Sequence, residues 1–333
     1  LAKALFRAVG AAILLLGFLS VSRADEVRVI KLGYILAPHS QLGAGADVFA
    51  AEVEKRTQGR YRIDQYPDSA LGGEIEMMKG VQLGTVDMAF ITGAPMPNFV
   101  PEIGVFGIPF LIRDARHAHR VLDGPLGQEL LRKFEAQDIV ALAWGENGMR
   151  HITNSRHPIR VPGDLKGLKL RVPQSDVMVE GFDALGADAH PLAFPEVYGA
   201  LQTGRFDGQE NPIATIIASK FYQVQKYLTL SGHIYDPAAF LMSKDLYAEL
   251  SPADRQAFVE AARLGGLASR KFAAEAEANG IAFLQQQGME VVTDIDKAKF
   301  SDAMAPAMPA FEKEFGRELI EAIRQTKAKV ASQ

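Results

Sequence analysis

The 333-residue chain reads as an α/β protein of two domains, with mixed sheets flanked by helices and one long helix spanning both. Three patterns predict this. Short strand and helix patterns alternate in two successive cycles, the order of sheets covered by helices. The second cycle opens near Gly148, and at about 100–200 residues per domain the length accommodates two. The last third carries a single helical pattern from Pro252 to Gln287. At ~1.5 Å per residue it would reach on the order of 50 Å, more than the width of a small domain.

Val27 to Ile35 is a strand, and Leu42, Ala46, Phe49, Ala50 and Val53 then recur at helical spacing until Gly59. Arg60 to Tyr66 is a second strand closed by Pro67, Leu71-Gly72-Gly73-Glu74 opens another helix, and Thr85 to Ile91 is a third strand. This order predicts a mostly parallel sheet in the N-terminal half. Ligands in such sheets sit at the carboxyl ends of the strands, here near His39, Gln65 to Leu71 and Thr92-Gly93-Ala94. Ile139 to Gly145 is again a strand, and Asn147 to His151 leads into the second cycle. There Ile159 to Lys166 is a loop, Leu168 to Val172 a strand, and Asp176 to Leu185 a helix ending at Gly186. A helix starts near Pro195 and Glu196, and a strand passes through Phe206 and Asp207. Ser251 before Pro252 caps the long helix, in which Gly265-Gly266 marks a bend or weak point.

Lys3 and Arg7, an apolar run from Ala8 to Leu19 and then Ser22-Arg23-Ala24 have the order of a secretory signal with cleavage after Ala24, so residues 1–24 are expected to be removed. The chain has no cysteine, which excludes disulfides, thiolate metal sites and lipid attachment at cysteine. A net charge of −4 gives no reason to expect nucleic acid or an anionic membrane as partner. Gly43-Ala44-Gly45 resembles the start of a dinucleotide loop, but Val48 stands at the third glycine position. His117 and His119, two apart in a charged segment, read as solvated surface. No metal-protease, nucleophile-elbow or cysteine-histidine motif is present, so neither catalysis nor a cofactor or metal is expected.

The polar and aromatic residues that gather at predicted strand ends are His39, Glu74, Thr92, Arg150, Arg171, Phe194 and Asn211. Arg171 is the most informative. Leu168, Leu170 and Val172 alternate with Lys169 and Arg171, so Arg171 emerges opposite the apolar face where Pro173 ends the strand. A planar, forked and permanently charged guanidinium suits a carboxylate better than a lysine does. Pairing with a neighbouring Asp or Glu is the competing reading.

Five segments carry a resemblance: Asn147-Gly148-Met149-Arg150, Leu168 to Pro173, Phe194 to Gly204, Asp207 to Pro212 and Phe221 to Tyr227. In this order they are similar to the DctP-like periplasmic solute-binding proteins of tripartite ATP-independent (TRAP) transporters, nearly end to end after the signal. The resemblance implies a periplasmic binding protein fold that closes around an organic acid, works as a monomer and delivers its cargo to membrane permease subunits. It implies one domain of residues 25–147 with about 237–276, and another of 148–236 with about 277–333. The arginine at the place of Arg171 takes the carboxylate, that at Arg150 supports it, and the asparagine at Asn211 adds a hydrogen bond. Ala37-Pro38-His39-Ser40, Leu71 to Glu74 and Asn98 to Glu102 look most like members that take uronates, glucuronate or galacturonate, where the residues at His39 and Glu74 reach sugar hydroxyls. Sialic-acid receptors carry a glutamate where this chain has Thr92 and an asparagine near Ile35, a departure that speaks against that ligand. A C4-dicarboxylate is the alternative cargo, and an exported enzyme acting on sugar acids the alternative class.

Overall fold

The computed structural model describes residues 27–326; the expected signal lies outside the described residues. Within them the strands are β1 (Arg28–Gly33), β2 (Tyr61–Tyr66), β3 (Met88–Thr92), β4 (Ile139–Asn154), β5 (Lys169–Val172), β6 (Asp188–Pro191), β7 (Gly208–Pro212), β8 (Tyr227–Ser243) and β9 (Glu290–Val292). They form one mixed sheet in the order β2-β1-β3-β8-β4-β7-β5-β6, with β9 against β8. The flanking helices are α1 (Gln41–Arg56), α2 (Glu74–Gln82), α3 (Ala115–Asp123), α4 (Pro125–Lys133), α5 (Asp176–Ala184), α6 (Val197–Gln202), α7 (Ile213–Ala218), α8 (Lys244–Glu249), α9 (Pro252–Gln286), α10 (Lys297–Met304), α11 (Met308–Phe315) and α12 (Arg317–Gln325). None of them is long and apolar enough to cross a membrane.

The parallel pairing expected of the N-terminal half holds for β1 with β2 and β3, and stops there. β3 pairs antiparallel with β8, Met88 opposite Met242, and β8 pairs antiparallel with β4 along nearly its whole length. β8 is absent from the sequence reading because Gly232, Asp236 and Pro237 interrupt its apolar pattern. β4 does not end at Gly145 as expected but runs on to Asn154. The boundary expected near Gly148 therefore falls inside a strand, at a register shift between Glu146 and Gly148. Gly148 takes φ +131°, which a residue with a side chain rarely adopts. Two smaller corrections concern the strand through Phe206 and Asp207, which starts only at Gly208, and the helix at Pro195, whose first turn is 3₁₀ before α6 begins.

α9 starts as the sequence predicts. The Ser251 hydroxyl accepts the Asp254 N–H at 3.1 Å, and Pro252 fills the first turn, where its missing N–H costs nothing. The helix packs on α1, β4 and α7 and continues through Gly265-Gly266 without a break. Contact explains the pair: a Cβ on Gly265 would lie 2.7 Å from the Gly45 carbonyl oxygen, and one on Gly266 only 2.1 Å from that of Trp144. Gly45, in the segment that resembled a dinucleotide loop, is thus the facing half of a helix contact.

His117 is also a correction. It is buried, not solvated: its Nδ1 accepts the Arg113 N–H at 3.2 Å and its Nε2 lies 2.8 Å from the Ile323 carbonyl oxygen of α12. Burial pushes its pKa down, so the neutral ring bridges the two segments. His119 is partly buried against the Glu146 carboxylate, 2.5 Å away.

Candidate functional site

The carboxyl ends of β3, β5 and β7, the middles of β4 and β8 and the start of α2 gather the polar residues. Arg171 lies on β5 between Leu170 and Val172 and is only 2% exposed. Its Nε and Nη2 donate to the Leu192 carbonyl oxygen at 2.9 and 2.6 Å, while Nη1 is buried with no partner. Pairing with a neighbouring carboxylate is not what the geometry has. Burial pushes the guanidinium pKa down to about 9, which leaves it protonated at neutral pH. A buried donor on a charged group left unpaired costs roughly 1–3 kcal/mol or more, so an incoming acceptor is strongly favoured here.

Glu74 opens α2, and its Oε1 accepts the Thr92 backbone N–H at 2.7 Å. Burial raises its pKa to about 7, with Asp236 adding to the rise and Arg171 opposing it. Near neutral pH it is therefore both an acceptor and a potential donor. Thr92 serves it from the end of β3.

Arg150 is not available to a ligand in the way Arg171 is. Its Nε and Nη2 meet Glu210 Oε2 and Oε1 at 2.5 and 2.7 Å, and its Nη1 meets Asp236 Oδ2 at 2.6 Å. Burial alone would lower its pKa, but the two carboxylates hold it above the ordinary arginine value. Glu210 in turn would be raised by burial and is held low by Arg150. His233 Nε2 lies 3.0 Å from Glu210 Oε2, and burial keeps that ring neutral by lowering its pKa. Asn211 is buried, its Nδ2 donating to Gln209 Oε1 at 2.6 Å. Phe194 is half-buried, its ring 6.1 Å from that of Phe221, and it lines an opening of about 230 Å³ with Leu36, Ala37, Asp68, Tyr198 and Phe221. The structure leaves His39 exposed beside Ser40, the N-cap of α1, and does not bring it into the buried cluster.

Four members of the cluster escaped sequence reasoning: Gln41, Asn147, Glu210 and Asp236. Glu210 lies in β7, whose five residues are all buried although three of them are the polar Gln209, Glu210 and Asn211.

A fold of this kind with an unpaired buried cation can hold an anion, and the relatives agree in kind. The model of the DctP family, described as bacterial extracellular solute-binding protein, family 7, matches residues 32–314. The chain belongs to family 7. A solute-binding protein of Verminephrobacter eiseniae is 49% identical over 295 residues, 89% of this chain and 88% of that one. Among solved structures, a TRAP periplasmic solute-binding protein from Polaromonas sp. JS666 bound to D-erythronate superposes with a TM-score of 0.89 at 48% identity, covering 91% of this chain and all of the other. The sugar acid binding protein of Advenella mimigardefordensis in complex with galactonate reaches 0.87 at 36% identity, over 90% and 98% of the two chains. The α/β class with a mixed sheet flanked by helices is that of these family 7 proteins, and they are solute-binding proteins of transport systems rather than enzymes.

Proposed function

We propose that the protein is the periplasmic receptor of a TRAP transporter, capturing a hydroxylated monocarboxylate and handing it unchanged to the membrane permease subunits. The carrying observation is the buried, unpartnered Nη1 of Arg171 near a Glu74 whose pKa is about 7. Arg171 takes the carboxylate, and Glu74 and Asn211 meet hydroxyls, with Thr92 orienting Glu74, Arg150 stiffening the floor and Phe194 covering the ligand. His39 is exposed and takes no part in holding the ligand. Open-chain aldonates and cyclic uronates such as glucuronate share this chemistry. Erythronate and galactonate in the two neighbours favour the open-chain members.

Discrimination against a C4-dicarboxylate comes from Glu74, whose charge opposes a second carboxylate. As pH falls through about 7 Glu74 gains a proton and the opposition fades. Titration calorimetry with aldonates, uronates, succinate and malate between pH 8 and 6 is therefore expected to give tighter binding of a hydroxy acid at both ends. The gap to succinate should narrow toward pH 6, and it should lose its pH dependence in Glu74→Gln. Succinate or malate binding more tightly than every sugar acid at pH 8 overturns the ligand class.

We also propose that the lobes divide at the Glu146–Gly148 register shift, residues 25–147 with about 237–276 against 148–236 with about 277–333, and close about it on the ligand. Such closure follows if the ligand binds the closed state better than the open one. Small-angle scattering should give the mass of a monomer and a smaller radius of gyration at saturating ligand. An identical profile with and without ligand rules the closure out.

A further inference from the structure

Resting on the hydroxy-acid reading above, we infer that Gln41 is a specificity-determining residue whose Oε1 accepts a hydrogen bond from a ligand hydroxyl. Gln41 is the first residue of α1, at the carboxyl side of β1, and is fully buried. Its amide orientation follows from a chain of donors that starts at an ion pair. Asp236 Oδ2 accepts from Arg150 Nη1 and from Asn147 Nδ2, the latter at 2.7 Å. With its nitrogen committed to Asp236, Asn147 turns its Oδ1 toward Gln41, whose Nε2 lies 2.6 Å away. The same Nε2 lies 3.0 Å from the Asn147 carbonyl oxygen and 2.8 Å from Thr215 Oγ1. Thr215 donates its own hydroxyl proton to Asn147 Oδ1, so it receives rather than competes. Rotating the amide by half a turn would set an oxygen against two acceptors that cannot donate, the carbonyl oxygen and Oδ1 of Asn147. Oε1 must therefore face away from the hinge, and it is buried with no donor.

The surroundings point to the cleft. Thr215 lies in α7, directly after the strand that carries Asn211, and Asn147 precedes Arg150 by three residues. A Cβ on Gly93, next to Thr92, would sit 2.9 Å from Asp236 Oδ1. Ala37, at the opening beside Phe194, lies just before α1. Among the described residues four buried side-chain atoms lack partners: Gln41 Oε1, Arg171 Nη1, Arg120 Nε and Arg270 Nε. Arg270 already holds Asp123 with its two terminal nitrogens. Gln41 Oε1 is the single acceptor of the four. Arg171 Nη1, a donor without an acceptor, and Gln41 Oε1, an acceptor without a donor, are together the complement of a molecule carrying a carboxylate and a hydroxyl. An acceptor left buried and unpaired also penalises a ligand that lacks the hydroxyl, which is how a site built for a hydrogen bond rejects its deoxy analogue.

The test measures D-erythronate, galactonate and their monodeoxy analogues by calorimetry on the full-length mature protein, the parent beside Gln41→Met, Gln41→Ala and Thr215→Val. Removing one particular hydroxyl should weaken binding to the parent by about tenfold or more. In Gln41→Met, which keeps the volume, that ratio should fall toward one; Gln41→Ala repeats the measurement should the methionine variant unfold. Thr215→Val loosens the amide without touching Oε1 and should keep the discrimination, even if all affinities drop together. A parent that ignores every deoxygenation, or a Gln41 variant that weakens all ligands in proportion with the ratio intact, overturns the assignment and leaves Gln41 a structural tie between α1 and α7. Failure of the parent to bind any hydroxylated acid overturns the receptor's ligand class instead, and this assignment with it.

Discussion

Replacing Arg171 by alanine is expected to weaken binding of a hydroxy acid by roughly 3–5 kcal/mol, because the ligand carboxylate would enter a buried site with no countercharge. The ligand-free protein should not become less stable in proportion. In it Arg171 is a buried cation with one unpaired nitrogen, its pKa pushed down by burial, so removing it relieves as well as removes. Arg171→Lys keeps the charge and loses the fork that reaches both the Leu192 carbonyl and the ligand, and should cost about 1–3 kcal/mol of binding. Calorimetry for affinity and thermal unfolding without ligand measure the two halves. Parent-like affinity in either variant would remove Arg171 from the ligand's path.

The second large effect belongs to Glu210, and it falls on folding first. Glu210→Ala leaves Arg150 with Asp236 alone, an incompletely compensated buried charge, and should destabilise by about 3–5 kcal/mol. Burial would raise the pKa of Glu210, but Arg150 and His233 together hold it below the ordinary value. A carboxylate of lowered pKa contributes stability that is full above its unfolded value of ~4.3 and is lost as pH falls below that through the folded value. Glu210→Gln should therefore be less stable than the parent at pH 7, with the difference shrinking as the buffer is taken down toward pH 3. Urea unfolding across that range checks both, and a constant difference at every pH would mean that Glu210 is not the titrating group.

What could be read from the sequence follows from how local the determinants are. Ser251 and Pro252 announce α9 because capping needs only a hydroxyl three residues before an unsatisfied N–H, with proline where no N–H is needed, and the structure has that bond from Asp254 to Ser251. Arg171 could be assigned a face because the alternation on β5 is local too. Glu210 and Asp236 were not legible, since a buried carboxylate looks like a loop residue until its arginine arrives from another strand. His117 was misread for the same reason: the carbonyl that buries it, at Ile323, lies at the far end of the chain. β8 is hidden twice over, since Gly232, Asp236 and Pro237 interrupt its apolar pattern and burial on both faces removes the alternation that marks a half-exposed strand.

The pairing of β3 with β8 has a consequence for biosynthesis. Met88 finds its partner only at Met242, so the first three strands emerge from the ribosome long before the strand that completes their sheet. The amino-terminal portion cannot reach its final state early, and its contacts with high sequence separation close late and slowly. A nascent chain of this design stays threadable through most of its translation. It also means that a fragment ending before β8 leaves β3 without its antiparallel neighbour, so the amino-terminal strands cannot be produced as a complete sheet by truncating the gene there.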